Sequence, residues 1–119
     1  MLAGTPMAVS RAETAAVIIE GVPANAGLLV QRPEFMRTVR DQCTRHGALL
    51  ILDEVITGFR VGPGGAAAIL DITPDLATYG KAMANGYPIS VVTGKKEVMM
   101  AAAHKLYISS TFFPNSDAF

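Results

Sequence analysis

Two residues of this 119-residue chain have the types and spacing to do chemistry together. Lys81 lies in Thr78-Tyr79-Gly80-Lys81-Ala82-Met83-Ala84, and Asp53 closes the apolar run Ala48-Leu49-Leu50-Ile51-Leu52, 28 positions earlier. A neutral lysine amine is a nucleophile that condenses with aldehydes, and a carboxylate can keep a heterocyclic nitrogen protonated. Each group is delivered by a nonpolar segment and followed by a glycine-containing loop.

Most lysines are solvated surface charges. Lys81 differs in having Gly80, Ala82 and Met83 as neighbours. Burial among such residues would favour the neutral amine, because desolvation penalises the ammonium. With Asp53, such an amine makes the pair that pyridoxal phosphate chemistry requires: a lysine for a Schiff base with the aldehyde, and an acid for the pyridine nitrogen. Lys95, Lys96 and Lys105 sit in polar or helix-end contexts and are assigned no role.

Other patterns carry less. Leu49-Leu50-Ile51-Leu52-Asp53-Glu54 also fits the magnesium-holding strand of nucleotide hydrolases, but no G-x-x-x-x-G-K-[ST] phosphate loop accompanies it. A plainer reading makes Asp53 a strand-end acid capping the next element. Gly62-Pro63-Gly64-Gly65-Ala66-Ala67 loosely matches a dinucleotide-binding turn, and a flexible loop is the expected structure there. Cys43 and His46 have C-x-x-H spacing with no second pair to complete a metal site, so no metal is expected. Ser109-Ser110-Thr111 could offer hydroxyls to a phosphate or form a polar turn. His104 has no catalytic partner in the sequence.

These residues need elements to hold them. Ala15 to Glu20 reads as a buried strand ending in a carboxylate, and Pro33 to about His46 as a helix with Pro33 at its first position. Phe35, Met36, Val39 and Cys43 share its apolar face, and Gly47 stops it. A strand follows from Ala48 to Asp53, then a glycine-rich loop from Thr57 to Gly65. Leu76 to Tyr79, Ile89 to Thr93 and Leu106 to Ser109 are expected to be extended, with a helix over Lys95 to His104. Strand, helix, strand in this order implies a parallel sheet with covered faces, whose ligands bind beyond the carboxyl ends of the strands. Glu20 and Asp53 both fall at such ends.

Hydrophobic residues are 50% of the chain and charged residues 17%, rich in apolar side chains for a small free-standing domain. Strands buried on both faces need helices on both sides, which implies part of a larger protein. Ten basic and ten acidic residues balance, so nucleic-acid or anionic-membrane binding has no electrostatic support. One cysteine, no spanning-length apolar run and no signal-like N-terminus lead to the expectation of a cytoplasmic protein.

Val17-Ile18-Ile19-Glu20-Gly21-Val22, Leu49 through Arg60, Thr73-Pro74-Asp75-Leu76 and Gly80-Lys81 resemble, in order and spacing, the class III aminotransferases. Gly58-Phe59-Arg60-Val61, Gly64-Gly65-Ala66, and Ser110-Thr111 with Pro114-Asn115-Ser116 are most similar to its glutamate-1-semialdehyde aminomutase branch. The resemblance spans about residues 15–116 and implies an α/β fold: part of the large pyridoxal-phosphate-binding domain of the aspartate-aminotransferase fold, mostly parallel sheet with flanking helices.

By that resemblance Lys81 is the Schiff-base lysine and proton shuttle, and Asp53 partners the pyridinium nitrogen. Val55 packs on the ring, and Thr111 reaches the cofactor phosphate from the neighbouring subunit of a homodimer. Glu20 is an acid near the site whose role varies within the family. The substrates implied are a small-molecule amino donor and acceptor, or one amino-aldehyde rearranged within itself. Family members are several times longer, and Asn85-Gly86-Tyr87-Pro88 departs from the glycine-rich turn of the aminomutases, so a general aminotransferase remains open. A partial chain with little activity alone is expected. The rival readings are a non-catalytic interaction protein derived from an aminotransferase and, more distantly, a nucleotide hydrolase fragment.

Overall fold

A computed structural model describes residues 14–103, 105 and 106. Four strands form one sheet in chain order: β1 (Ala16–Ile19), β2 (Leu49–Asp53), β3 (Leu76–Tyr79) and β4 (Val91–Gly94). The β1–β2 and β2–β3 pairs are parallel, and β4 joins antiparallel to β3. Helix α1 (Pro33–His46) connects β1 to β2, α2 (Gly65–Leu70) lies between β2 and β3, and α3 (Lys96–Ala102) follows β4. The mostly parallel α/β architecture is as expected.

Helix α1 begins at Pro33, where a missing N–H costs nothing. It ends at Gly47, whose φ of 70° is left-handed, and the Gly47 and Ala48 N–H groups return to the Thr44 and Cys43 carbonyls. Its inward stripe is Met36, Val39 and Cys43, all fully buried. They join Leu50 and Leu52 of β2, Val22, Ile72, and Ala66 and Leu70 of α2 in one core. Each fully buried aliphatic side chain there contributes about 1.5–3 kcal/mol. Phe35, expected on the same face, is instead 37% exposed, because the 100° step per residue turns it past the edge of the sheet-facing stripe.

Helix α2 was not expected, since its sequence reads as loop. Burial of Ala66 and Leu70 holds it, together with two hydrogen bonds described below. Gly21, after β1, makes room for this packing: a Cβ there would stand 2.7 Å from Leu70 Cδ1.

Among the described residues the opposite face of the sheet is largely uncovered. Register aligns Ile18, Ile51 and Leu76 in one row across β1, β2 and β3. Ile18 is 63% exposed, and Val92 of β4 is 52% exposed. Burial on both faces, expected from the apolar runs, is therefore not met within the described residues; α1 and α2 cover the other face only.

Asp75, just before β3, locks the elements together. It is buried, and its Oδ2 accepts from the Leu50 N–H at 2.7 Å and from Arg40 Nη1 at 2.7 Å. Lys95 Nζ lies 2.6 Å from Oδ1, while the Lys95 N–H bonds to the Asp75 carbonyl. One carboxylate thus joins α1, β2, β3 and the end of β4. Burial by itself would raise the Asp75 pKa, but the Leu50 N–H, Lys95 and Arg40 outweigh it and bring it down to about 2. Lys95, assigned no role from sequence, is a structural partner here.

Candidate active site

The parallel pairing of β2 with β3 brings two carboxyl ends side by side, with Asp53 opposite Thr78. Asp53 is half-buried. Its Oδ1 accepts from the Val55 N–H at 2.9 Å and from Thr78 Oγ1 at 3.2 Å. Among the described residues both hydrogen bonds reach Oδ1, which leaves Oδ2 able to accept from another donor. A carboxylate oriented by two donors and keeping one oxygen for a third suits a protonated ring nitrogen.

Three residues beyond Thr78, the chain turns at Lys81. Gly80 is buried, and Lys81 has a left-handed φ of 40°. The Lys81 carbonyl accepts from the Ala84 and Asn85 N–H groups, both at 3.0 Å, and Asn85 is also left-handed at 49°. A left-handed non-glycine residue costs about 1–2 kcal/mol, and such conformations cluster at functional sites.

The Lys81 side chain is exposed, against the expected burial. Small and apolar neighbours along the chain do not enclose a side chain at a tight turn; other segments would have to pack over it. Val55 does reach this turn, since a Cβ on Gly80 would stand 3.7 Å from Val55 Cγ1. Glu20 follows β1 at the same end of the sheet, half-buried, on the strand beside that of Asp53. Thr111, with Ser109 and Ser110, lies outside the described residues, as does His104. Asp53, Val55 and the turn of Lys81 are thus gathered at one edge, with Glu20 one strand away.

Sequence reasoning passed over Glu54. It is fully buried, and its carboxylate accepts from Thr57 Oγ1, from the Ala66 N–H at 2.9 Å and from the Ala67 N–H at 2.8 Å. The Gly62–Ala67 segment therefore opens helix α2 on an internal carboxylate and is not a free loop. Gly65 is required there, with φ 59° and no room for a Cβ against the Glu54 carboxylate. An acid after an apolar strand, with threonine three residues on, was the available signal. Gly58 packs against the ring of Tyr79, and Phe59 meets that ring edge-on at 5.9 Å.

Cys43 belongs to the core, where burial pushes its thiol up, Arg40 lowers it and Asp75 raises it. Among the described residues no three His, Cys, Asp or Glu side chains group as metal ligands. No helix among them is long and apolar enough to cross a membrane.

The family model described as Aminotransferase class-III matches residues 4–118. The chain belongs to the class III aminotransferases. The family read from the strand-end motifs and the fold it implied both hold. A glutamate-1-semialdehyde 2,1-aminomutase of Bdellovibrio bacteriovorus is 50% identical over 105 residues, covering 87% of this chain and 25% of the relative. A 3-aminobutyryl-CoA aminotransferase of Cloacimonas acidaminovorans is 47% identical over 97 residues, covering 82% and 23%. A solved transaminase with pyridoxal phosphate bound superposes with a TM-score of 0.77 at 34% identity, covering 86% of this chain and 25% of that one. This class III chain thus spans about a quarter of the length of the curated relatives it matches.

Proposed function

We propose that this chain carries the lysine-bearing part of a pyridoxal phosphate site, serving transamination or intramolecular amino transfer on an amino acid or amino-aldehyde. The reading rests on one observation above all: parallel β2 and β3 end together, with the Asp53 carboxylate oriented by Thr78 just before the left-handed turn of Lys81. Pyridoxal phosphate, when bound, supplies an electron-withdrawing ring that makes the proton on the substrate carbon removable.

In this reading Lys81 Nζ would hold the cofactor aldehyde with loss of water until the substrate amine displaces it, and the freed amine would then take and return the proton at the substrate carbon. Asp53 would accept from the ring N–H and keep it charged. Val55 packs on the ring face. Thr111 binds the phosphate from the neighbouring subunit of a homodimer, and Glu20 lies at the site margin. Similarity to both an aminomutase and an aminotransferase supports amino transfer as the shared chemistry. A cytoplasmic setting is part of the proposal, as is the view of the chain as a portion of the large domain with little turnover by itself.

Borohydride reduction in the presence of pyridoxal phosphate, followed by peptide mapping, tests the reading. The label is expected on Lys81 and lost in Lys81→Ala. A label confined to Lys95, Lys96 or Lys105, or no label, would overturn it and favour a non-catalytic interaction protein.

A further inference from the structure

Glu54 stands between Asp53 and Val55, and every polar group it owns is engaged. Its N–H donates to the Thr78 carbonyl at 2.9 Å, and its carbonyl accepts from the Gly58 N–H at 2.8 Å. Its carboxylate takes the Thr57 hydroxyl and the Ala66 and Ala67 N–H groups. A fully buried carboxylate is costly unless such donors surround it. Side chains alternate at a strand end, so Glu54 enters the core side while Asp53 faces the other.

We propose that Glu54 is a positioning residue for the cofactor site, resting on the reading of Asp53 given above. Glu54 anchors the backbone on both sides of itself. Its N–H holds Thr78 in place, and Thr78 in turn donates to Asp53 Oδ1. The next N–H along, that of Val55, is the second donor to the same oxygen. Both donors that aim the Asp53 carboxylate therefore hang on the segment that Glu54 pins. Loosening Glu54 turns Asp53 away from the ring nitrogen, and that nitrogen then loses its proton more readily. A residue that merely capped α2 would change stability and leave the ring nitrogen as it was.

The test uses the whole protein loaded with pyridoxal phosphate labelled with 15N in the ring. The ring 15N shift is followed against pH for the unaltered protein, Glu54→Gln and Thr57→Val, with melting of each apoprotein in parallel. Glutamine keeps the shape of Glu54 but sets an amide NH2 against N–H donors. In Glu54→Gln the deprotonation midpoint of the ring nitrogen is expected to fall by about one pH unit or more, a tenfold change in its protonation equilibrium. Thr57→Val, which removes one of three carboxylate donors, is expected to shift it less and in the same direction. Should Glu54→Gln fail to fold, Thr57→Val decides the matter. Lower melting temperatures with an unchanged midpoint would overturn the positioning role alone. An unaltered protein that takes up no cofactor would overturn both this role and the proposed function.

Discussion

Thr78 donates its hydroxyl to Asp53 Oδ1 at 3.2 Å, across the same parallel pairing that sets the two residues opposite each other. The strand register that builds the sheet therefore also aims the acid. Thr78→Val keeps the shape of the strand and removes the donor. A neutral-to-charged hydrogen bond of this kind contributes about 1.5 kcal/mol, so the Kd for pyridoxal phosphate is expected to rise about tenfold in a fluorescence titration. Unchanged affinity would show that Asp53 needs no such support.

Asp75 predicts both a mutational and a pH effect. Asp75→Ala leaves Arg40 and the Leu50 N–H without their buried acceptor, and breaking a buried pair in this way costs about 3–5 kcal/mol. A urea midpoint within error of the unaltered protein would contradict this.

The pH effect has a fixed sign. The folded-state pKa of Asp75 is brought from the ordinary 3.8 down to about 2. Its contribution is complete above pH 3.8 and disappears as pH falls through the folded value. About 2 kcal/mol of stability is expected to be lost between pH 4 and pH 2 through this group. Denaturant midpoints measured across that window should show a smaller decline in Asp75→Ala than in the unaltered protein.

Two glycines separate backbone strain from crowding. Gly27 has φ 100° with nothing within 4 Å of an added Cβ, whereas Gly65 has φ 59° and meets the Glu54 carboxylate. Gly27→Ala is expected to cost about 1 kcal/mol, and Gly65→Ala about 2 kcal/mol or more. Equal losses by chemical denaturation would mean that the Glu54 carboxylate gives way freely.

Much of this arrangement was legible in the sequence because it is local. Pro33 and Gly47 mark the true ends of α1, and the apolar run before Asp53 is β2. Glu20 and Asp53 are legible as candidates because ligands of parallel sheets bind beyond strand ends, and Lys81 because of its small and apolar neighbours. What escaped depends on contacts distant along the chain. Helix α2 exists because Glu54, twelve residues before Ala66, closes its first turn. Lys95 looked like a helix-end charge until the antiparallel return of β4 brought it to Asp75. The exposure of Lys81 was misjudged for the same reason: its neighbours in sequence say little about what covers it in space.

The antiparallel return of β4 has a further consequence. The sheet order repeats the chain order, so each strand as it is added finds its partner already beside it. Among the described strands none is inserted between two earlier ones. Among these four strands, every strand-to-strand contact of the sheet is therefore between neighbours in chain order.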